Sequence, residues 1–309
     1  MGEHEVVTWP TGPWAADRLL SLGMKRVAGQ LLDTAPVDSS LKLSDLVEDI
    51  TDWDVADDAA TSKLVMQVLP GTMTLLLFQY RTPIRSLRRF GSTDFQHPPY
   101  CHVATRVQSG IAMVHPSGPL GLVAVQLKPE TAAHLLGDRL QPFADLKIGL
   151  ENVFPPGDIA LLVEMLAEAR SSRERVGHVQ RFLVAHLCKC GPDQIACQAA
   201  ARLKRNPSLR VGLLARDLGI SERQLSRRFH AMFGLTPKGF ARTARVEKAL
   251  AARHSEPGWA DVAYACGFAD QAHMIHDVNA IVGVPPDQAF RGGAAIASPS
   301  RGNVQRVSY

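Results

Sequence analysis

Between Lys63 and Leu127 the apolar residues come in short runs separated by turn formers. Leu64-Val65-Met66-Gln67-Val68-Leu69 and Met73-Thr74-Leu75-Leu76-Leu77-Phe78 lie on either side of Pro70-Gly71. Ile111-Ala112-Met113-Val114-His115 and Gly121-Leu122-Val123-Ala124-Val125-Gln126-Leu127 flank Pro116-Ser117-Gly118-Pro119 in the same way. Short strands with this punctuation predict a compact β-sandwich or barrel-like domain. Helical patches follow at Pro129–Leu136, Gly157–Ala169 and Arg173–Cys190, and beyond Cys190-Gly191-Pro192-Asp193 the spacing is helical throughout. The fold class is therefore α+β: a β-rich domain over residues 1–192, an all-α domain over 193–295, and a disordered tail over 296–309. The acidic run Asp45–Asp54, with interleaved hydrophobes, reads as a solvated amphipathic surface segment.

The helical part contains an internal repeat with an offset of 49 residues. Ser221-Glu222-Arg223-Gln224-Leu225-Ser226-Arg227-Arg228-Phe229 aligns with Asp270-Gln271-Ala272-His273-Met274-Ile275-His276-Asp277-Val278. Each copy opens on a good N-cap, Ser221 or Asp270, and then places apolar residues at i and i+4, Leu225/Phe229 and Met274/Val278. Downstream, Gly234 and Gly283 supply the C-caps, each with a proline three residues on. Upstream, Ala215 precedes Gly219 by four residues and Ala263 precedes Gly267 by four. A small residue lets two helices cross closely and the glycine makes the tight turn, so each copy predicts a helix-turn-helix unit. Arg242–Arg253 reads as a continuous helix between them, with Val246, Ala249 and Leu250 on one face.

Once the apolar stripe is fixed, the opposite face of the first repeat helix follows: Arg223, Ser226, Arg227 and His230. Arginine can grip guanine O6 and N7 bidentately in the major groove, which makes Arg223, Ser226 and Arg227 candidate base readers. Arg228, His230, Lys238 and Arg242 are placed for phosphates. In the second copy Gln271, His273, His276 and Asn279 can hydrogen-bond bases, Ile275 can pack on a thymine methyl, and Asp277 would repel a phosphate. The second helix is therefore expected to read less.

Charge separates along the chain in the same sense. From Ala199 onward there are 16 Lys and Arg against 8 Asp and Glu, net +8, while the preceding residues hold 18 basic against 22 acidic groups, net −4. A basic module behind an acidic one suits a polyanionic partner. Five cysteines without a CxxC pair argue against a disulfide framework. The first residues carry neither a basic segment nor an apolar core of a secretion signal, and no apolar run reaches membrane-spanning length, so a cytoplasmic location is expected.

From about Gln198 to Arg291 the chain resembles the AraC/XylS family of bacterial transcription activators. The residues carrying this are Leu214-Ala215, Gly219-Ile220-Ser221, Arg223, Leu225, Arg227 and Phe229, with Gly234, Pro237, Arg245, Ala263, Gly267-Phe268, Asp270-Gln271, His273, Gly283, Pro286 and Phe290-Arg291. The resemblance implies a seven-helix module of two helix-turn-helix units joined by a long helix. By position, Arg223, Ser226 and Arg227 would read bases in the first unit, and Gln271, Ala272, His273, Ile275 and His276 in the second. The family usually has Arg where His276 stands and Phe where Val278 stands, implying a weaker second contact and looser packing. Promoter DNA and RNA polymerase are the implied partners. Leu69-Pro70-Gly71 and Gly121–Pro129 are similar to a β-rich domain upstream of such modules, where a small-molecule effector or a second copy of the chain is bound.

No catalytic residues and no cofactor are expected, since nucleophile elbows, phosphate loops and dinucleotide fingerprints are missing. The alternative is an interaction or metal/redox-sensing module with a partly decayed second DNA-binding unit. Its candidate residues are the scattered His97, Cys101, His102 and His115, and the group His186, Cys188 and Cys190. On a helix Cys188 and Cys190 point roughly 160° apart, which disfavours a shared metal.

Overall fold

A computed structural model describes residues 3–9, 46–61, 64–72, 74–87, 95–105, 110–128, 131–132, 135, 147–187, 193–253, 258–289 and 305–308. The amino-terminal part builds two sheets from strands β1 (Glu3–Trp9), β2 (Val47–Val55), β3 (Leu64–Val68), β4 (Thr74–Gln79), β5 (Ile84–Leu87), β6 (Phe95–Gln96), β7 (Cys101–Thr105), β8 (Ala112–Pro116), β9 (Leu120–Leu127) and β10 (Lys147–Gly149). A short helix α1 (Asp58–Thr61) follows β2, and α2 (Pro156–Glu168) and α3 (Ser172–Leu187) follow β10. One sheet runs β10-β7-β4-β9-β2. The other runs β11-β1-β3-β8-β5-β6, where β11 is Gln305–Ser308, paired antiparallel with β1. The expected disordered tail thus contributes a strand at 305–308, because β1 offers it an open edge of backbone donors and acceptors. Residues 296–304 lie outside the described ones.

Both turn signals connect one sheet to the other, as in a sandwich; β3 and β4, and likewise β8 and β9, do not pair with each other. Period-two alternation explains why. On β9, Leu120, Leu122 and Ala124 face the second sheet with Trp53, Leu75 and Ile84, while Val123, Val125 and Leu127 face α2 and α3 with Leu76, Phe78, Phe182 and Leu183. The central sheet is apolar on both faces, so its strands read as continuous hydrophobic runs.

The acidic run is not a solvated surface segment. Residues 47–55 form β2, and Asp52 is 1% exposed. Its carboxylate accepts from Arg175 Nε of α3 at 2.8 Å and from the Tyr80 hydroxyl at 2.8 Å. Asp54 accepts from Arg175 Nη2 at 2.6 Å and from Arg81 Nε at 2.9 Å. Opposite charges and hydrogen bonds from distant elements make the burial tolerable.

The carboxy-terminal part is all helical: α4 (Gln194–Arg205), α5 (Val211–Asp217), α6 (Glu222–Phe233), α7 (Pro237–Ala252), α8 (Trp259–Ala265) and α9 (Gln271–Val282), with a last helical turn at 286–289. Two cores divide it. One joins α4, α5 and α6 to the start of α7, and the other joins the end of α7 to α8 and α9. Ile111 and Met113 of the β-rich part enter the second core. No helix among the described residues is long and apolar enough to cross a membrane.

Candidate nucleic-acid interface

The first repeat folds as α5, a tight turn and α6. Ala215 is buried where the helices cross, and its carbonyl accepts the Ile220 N–H at 3.0 Å. The chain reverses through Gly219 at φ 70°, a left-handed conformation that costs a residue with a side chain about 1 kcal/mol. Ser221 then caps α6. Its Oγ accepts the Gln224 N–H at 3.2 Å, and the Gln224 side chain accepts the Ser221 N–H at 3.0 Å. Leu225 and Phe229 are fully buried, and the Phe229 ring lies 4.5 Å from Phe233 and 5.3 Å from Phe240. That anchoring turns Arg223, Arg227 and His230 to the exposed side, with Ser226 half-buried beside them. Neither Arg223 nor Arg227 has an ion-pair partner among the described residues, so both guanidiniums are available to a ligand.

The second repeat copies the architecture but not the chemistry. Ala263 accepts the Phe268 N–H at 2.9 Å, Gly267 turns at φ 75°, and Asp270 caps α9 by accepting the His273 N–H at 2.7 Å. Met274 and Val278 are fully buried; valine closes this position without residual exposure where a phenylalanine was the family expectation. Gln271, Ala272, His276 and Asn279 are exposed. Two expected readers are engaged internally. His273 accepts the Ala269 N–H at 3.4 Å, meets the Phe268 ring edge-on at 5.5 Å, and stands 3.6 Å from Asp277. Ile275 is half-buried against the core of α7, α8 and α9. The apolar stripe of α9 also takes in Ile281 and Val282, which widens it beyond the two positions the repeat revealed.

Two of the expected phosphate contacts are already paired within the chain. Arg228 reaches Asp193, the N-cap of α4, at 3.0 Å. Arg242 reaches Asp277 at 2.7 Å, and Asp277 is 4% exposed, turned towards α7 and away from any phosphate. The sequence placed Asp277 beside the outward face, and its side chain takes the opposite direction because Arg242 stands across the helix crossing. The Arg228 pair is exposed and contributes at most about 1 kcal/mol, so it can exchange for a phosphate; the Arg242 pair shields a buried carboxylate and holds α9 to α7. Lys238, in the first turn of α7, and His230 of α6 are both exposed.

Residues 214–292 match a family model described as a helix-turn-helix domain. The carboxy-terminal third is an AraC-type helix-turn-helix domain. A domain of this kind supports DNA binding and a part in regulating transcription. No curated protein matches the sequence. Similar solved structures include ToxT from Vibrio cholerae, at 10% identity over 79% of this chain and 97% of that one, with a TM-score of 0.44. An AraC-type regulator from Chromobacterium violaceum is 22% identical over 34% of this chain and 95% of its own, at TM-score 0.31. The carboxy-terminal domain of AraT from Geobacillus stearothermophilus is 23% identical over 32% and 85%, at TM-score 0.30.

Within the AraC-type domain α7 joins the two units, and Arg245 fixes their relative placement. Its guanidinium donates to the Pro207 carbonyl at 3.4 Å, just before the first unit, and lies 5.2 Å from the Phe268 ring in the turn of the second. Sequence reasoning did not find this role, nor those of Asp193 and Asp277, because each partner comes from a different helix. Among the described residues no three His, Cys, Asp or Glu side chains gather in metal-binding geometry. His102 is buried and bonds through Nδ1 to the Pro99 carbonyl, and His186 bonds to Asp158 at 2.9 Å. Burial pushes the Cys101 thiol up to about 12, well away from a reactive thiolate at neutral pH. Cys188 and Cys190 lie outside the described residues.

Proposed function

We propose that this chain is a sequence-specific regulator of transcription that reads promoter DNA unequally with its two helix-turn-helix units. The observation that carries this reading is the face of α6: two exposed guanidiniums without a carboxylate partner, one helical turn apart, above a fully buried Leu225/Phe229 stripe. Arg223, Ser226 and Arg227 read bases, and Arg228, His230 and Lys238 hold the backbone. Arg242 serves chiefly to orient α9. In the second unit Gln271 and His276 remain for direct contact, while His273 is tied at the surface to the start of its own helix and Ile275 packs against the core. The unit therefore adds affinity and spacing more than sequence reading. Activation through RNA polymerase follows the resemblance of the module, and the amino-terminal sandwich is assigned the effector-binding or dimerising role.

Selection of bound duplexes from a randomised library, followed by gel retardation across a salt series, tests the proposal. The expected outcome is a recovered consensus and a steep loss of affinity with salt, since each neutralised phosphate contributes about 0.9 to the logarithmic slope. No retardation at low salt would overturn it and favour an interaction module.

A further inference from the structure

The repeat exposes one more pair of equivalent positions. Superposing the units on the buried alanines Ala215 and Ala263 and the left-handed glycines Gly219 and Gly267 gives an offset of 48 residues, which equates Arg216 with Tyr264 and Gly212 with Ala260. A side-chain carbon added at Gly212 would stand 3.2 Å from the Glu222 carboxylate in the first turn of α6. The Gly212 face of α5 therefore borders the start of the reading helix, and Arg216, four residues on, shares that face. Arg216 is exposed and has no carboxylate partner among the described residues. Its counterpart Tyr264 is 89% exposed, on a helix whose other face is occupied by buried Trp259, Val262 and Ala263. A tyrosine left almost wholly in water forgoes the burial that normally justifies its size.

We propose that Arg216 and Tyr264 are matched phosphate clamps, one per unit, each holding the DNA backbone where it passes the start of the adjacent reading helix. The proposal rests on the DNA-binding reading above. Arg216 supplies a charge-assisted contact. Tyr264 supplies an uncharged one, its hydroxyl donating to a phosphate oxygen, which suits a second unit whose reading helix presents no lysine or arginine.

The test compares full-length wild type, Arg216→Ala, Tyr264→Ala, Tyr264→Phe and Tyr264→Arg on the selected duplex and on an unrelated one, across salt. Arg216→Ala should weaken both duplexes and lower the logarithmic salt slope by about 0.9. Tyr264→Ala and Tyr264→Phe should each lose about threefold to tenfold on both duplexes, with the slope unchanged, as expected for a neutral hydrogen bond. Tyr264→Arg should restore affinity and steepen the slope by about 0.9. Unchanged thermal midpoints are expected for all four, since both positions are exposed. Wild-type affinity in Tyr264→Ala, full affinity in Tyr264→Phe alone, loss confined to the selected duplex, or a fall in transcription without a fall in DNA affinity would each overturn the clamp. Absence of binding by the wild type would instead overturn the regulator reading itself.

Discussion

Arg175 shows how much one side chain can carry. It is 4% exposed, spans the gap between α3 and β2, pairs with both Asp52 and Asp54, and lies 4.9 Å from the ring of Tyr80. Burial, reinforced by the adjacent Asp52, pushes the Tyr80 hydroxyl far above its ordinary range, so it remains a donor to that carboxylate. Replacing Arg175 with Ala leaves Asp52 charged and enclosed without its cation. The expected cost is about 3–5 kcal/mol, read as a lower urea midpoint for the amino-terminal part. Pairing Arg175→Ala with Asp52→Asn should recover much of it, since the stranded charge is then gone. A loss under 1 kcal/mol in the single variant would show the pair to be energetically idle.

Between elements, the two turn glycines make a contrast that sequence alone does not offer. Both adopt left-handed backbone, but an added carbon at Gly219 meets nothing within 4 Å, whereas at Gly267 it would overlap the Ser208 hydroxyl. Gly219→Ala should therefore cost about 1 kcal/mol from conformation alone, and Gly267→Ala more. Ser208→Gly should relieve only the Gly267 variant, a coupling measurable by a double-mutant cycle in urea unfolding. Equal costs at the two sites, with no coupling, would contradict the close approach of Ser208. The helix-turn-helix units were legible because their signals are local: caps, turn glycines and an i, i+4 stripe lie within about twenty residues of each other. The acidic strand was not legible, since Asp52 finds Arg175 from 123 positions away in the chain. For the same reason the inward turn of Ile275 and Asp277 depends on α7, and the contact of the part-exposed His273 ring depends on Phe268, none of which a pattern within α9 announces.

Across the whole molecule, the sandwich and the DNA-binding domain meet through both polar and apolar contacts among the described residues. The Thr72 N–H and hydroxyl donate to the two carboxylate oxygens of Glu247 on α7, at 2.7 and 2.8 Å. Lys204 of α4 pairs with Glu48 of β2, and Gly110 packs against Gly283 with its added carbon 3.3 Å from the Val282 carbonyl. The enclosed Glu247 carboxyl is raised above its ordinary range by burial, which the Thr72 bonds partly offset. Glu247→Ala removes the acceptor of the Thr72 amide, and that amide should exchange with solvent faster by about tenfold or more, corresponding to ~1–3 kcal/mol. Glu247→Gln retains an acceptor oxygen and avoids burying a charge, so it should preserve most of the protection. Identical exchange in wild type and Glu247→Ala would show that the two parts are not joined there.

Base reading depends on the exposed face of α6, and base-by-base binding profiles of Arg223→Ala and Arg227→Ala test that dependence. Each variant, measured on every single-base change of the selected duplex, should lose about 1–3 kcal/mol of discrimination at one base pair and keep it elsewhere. Full retention of the wild-type profile in both variants would contradict the assignment of α6 as the reading helix.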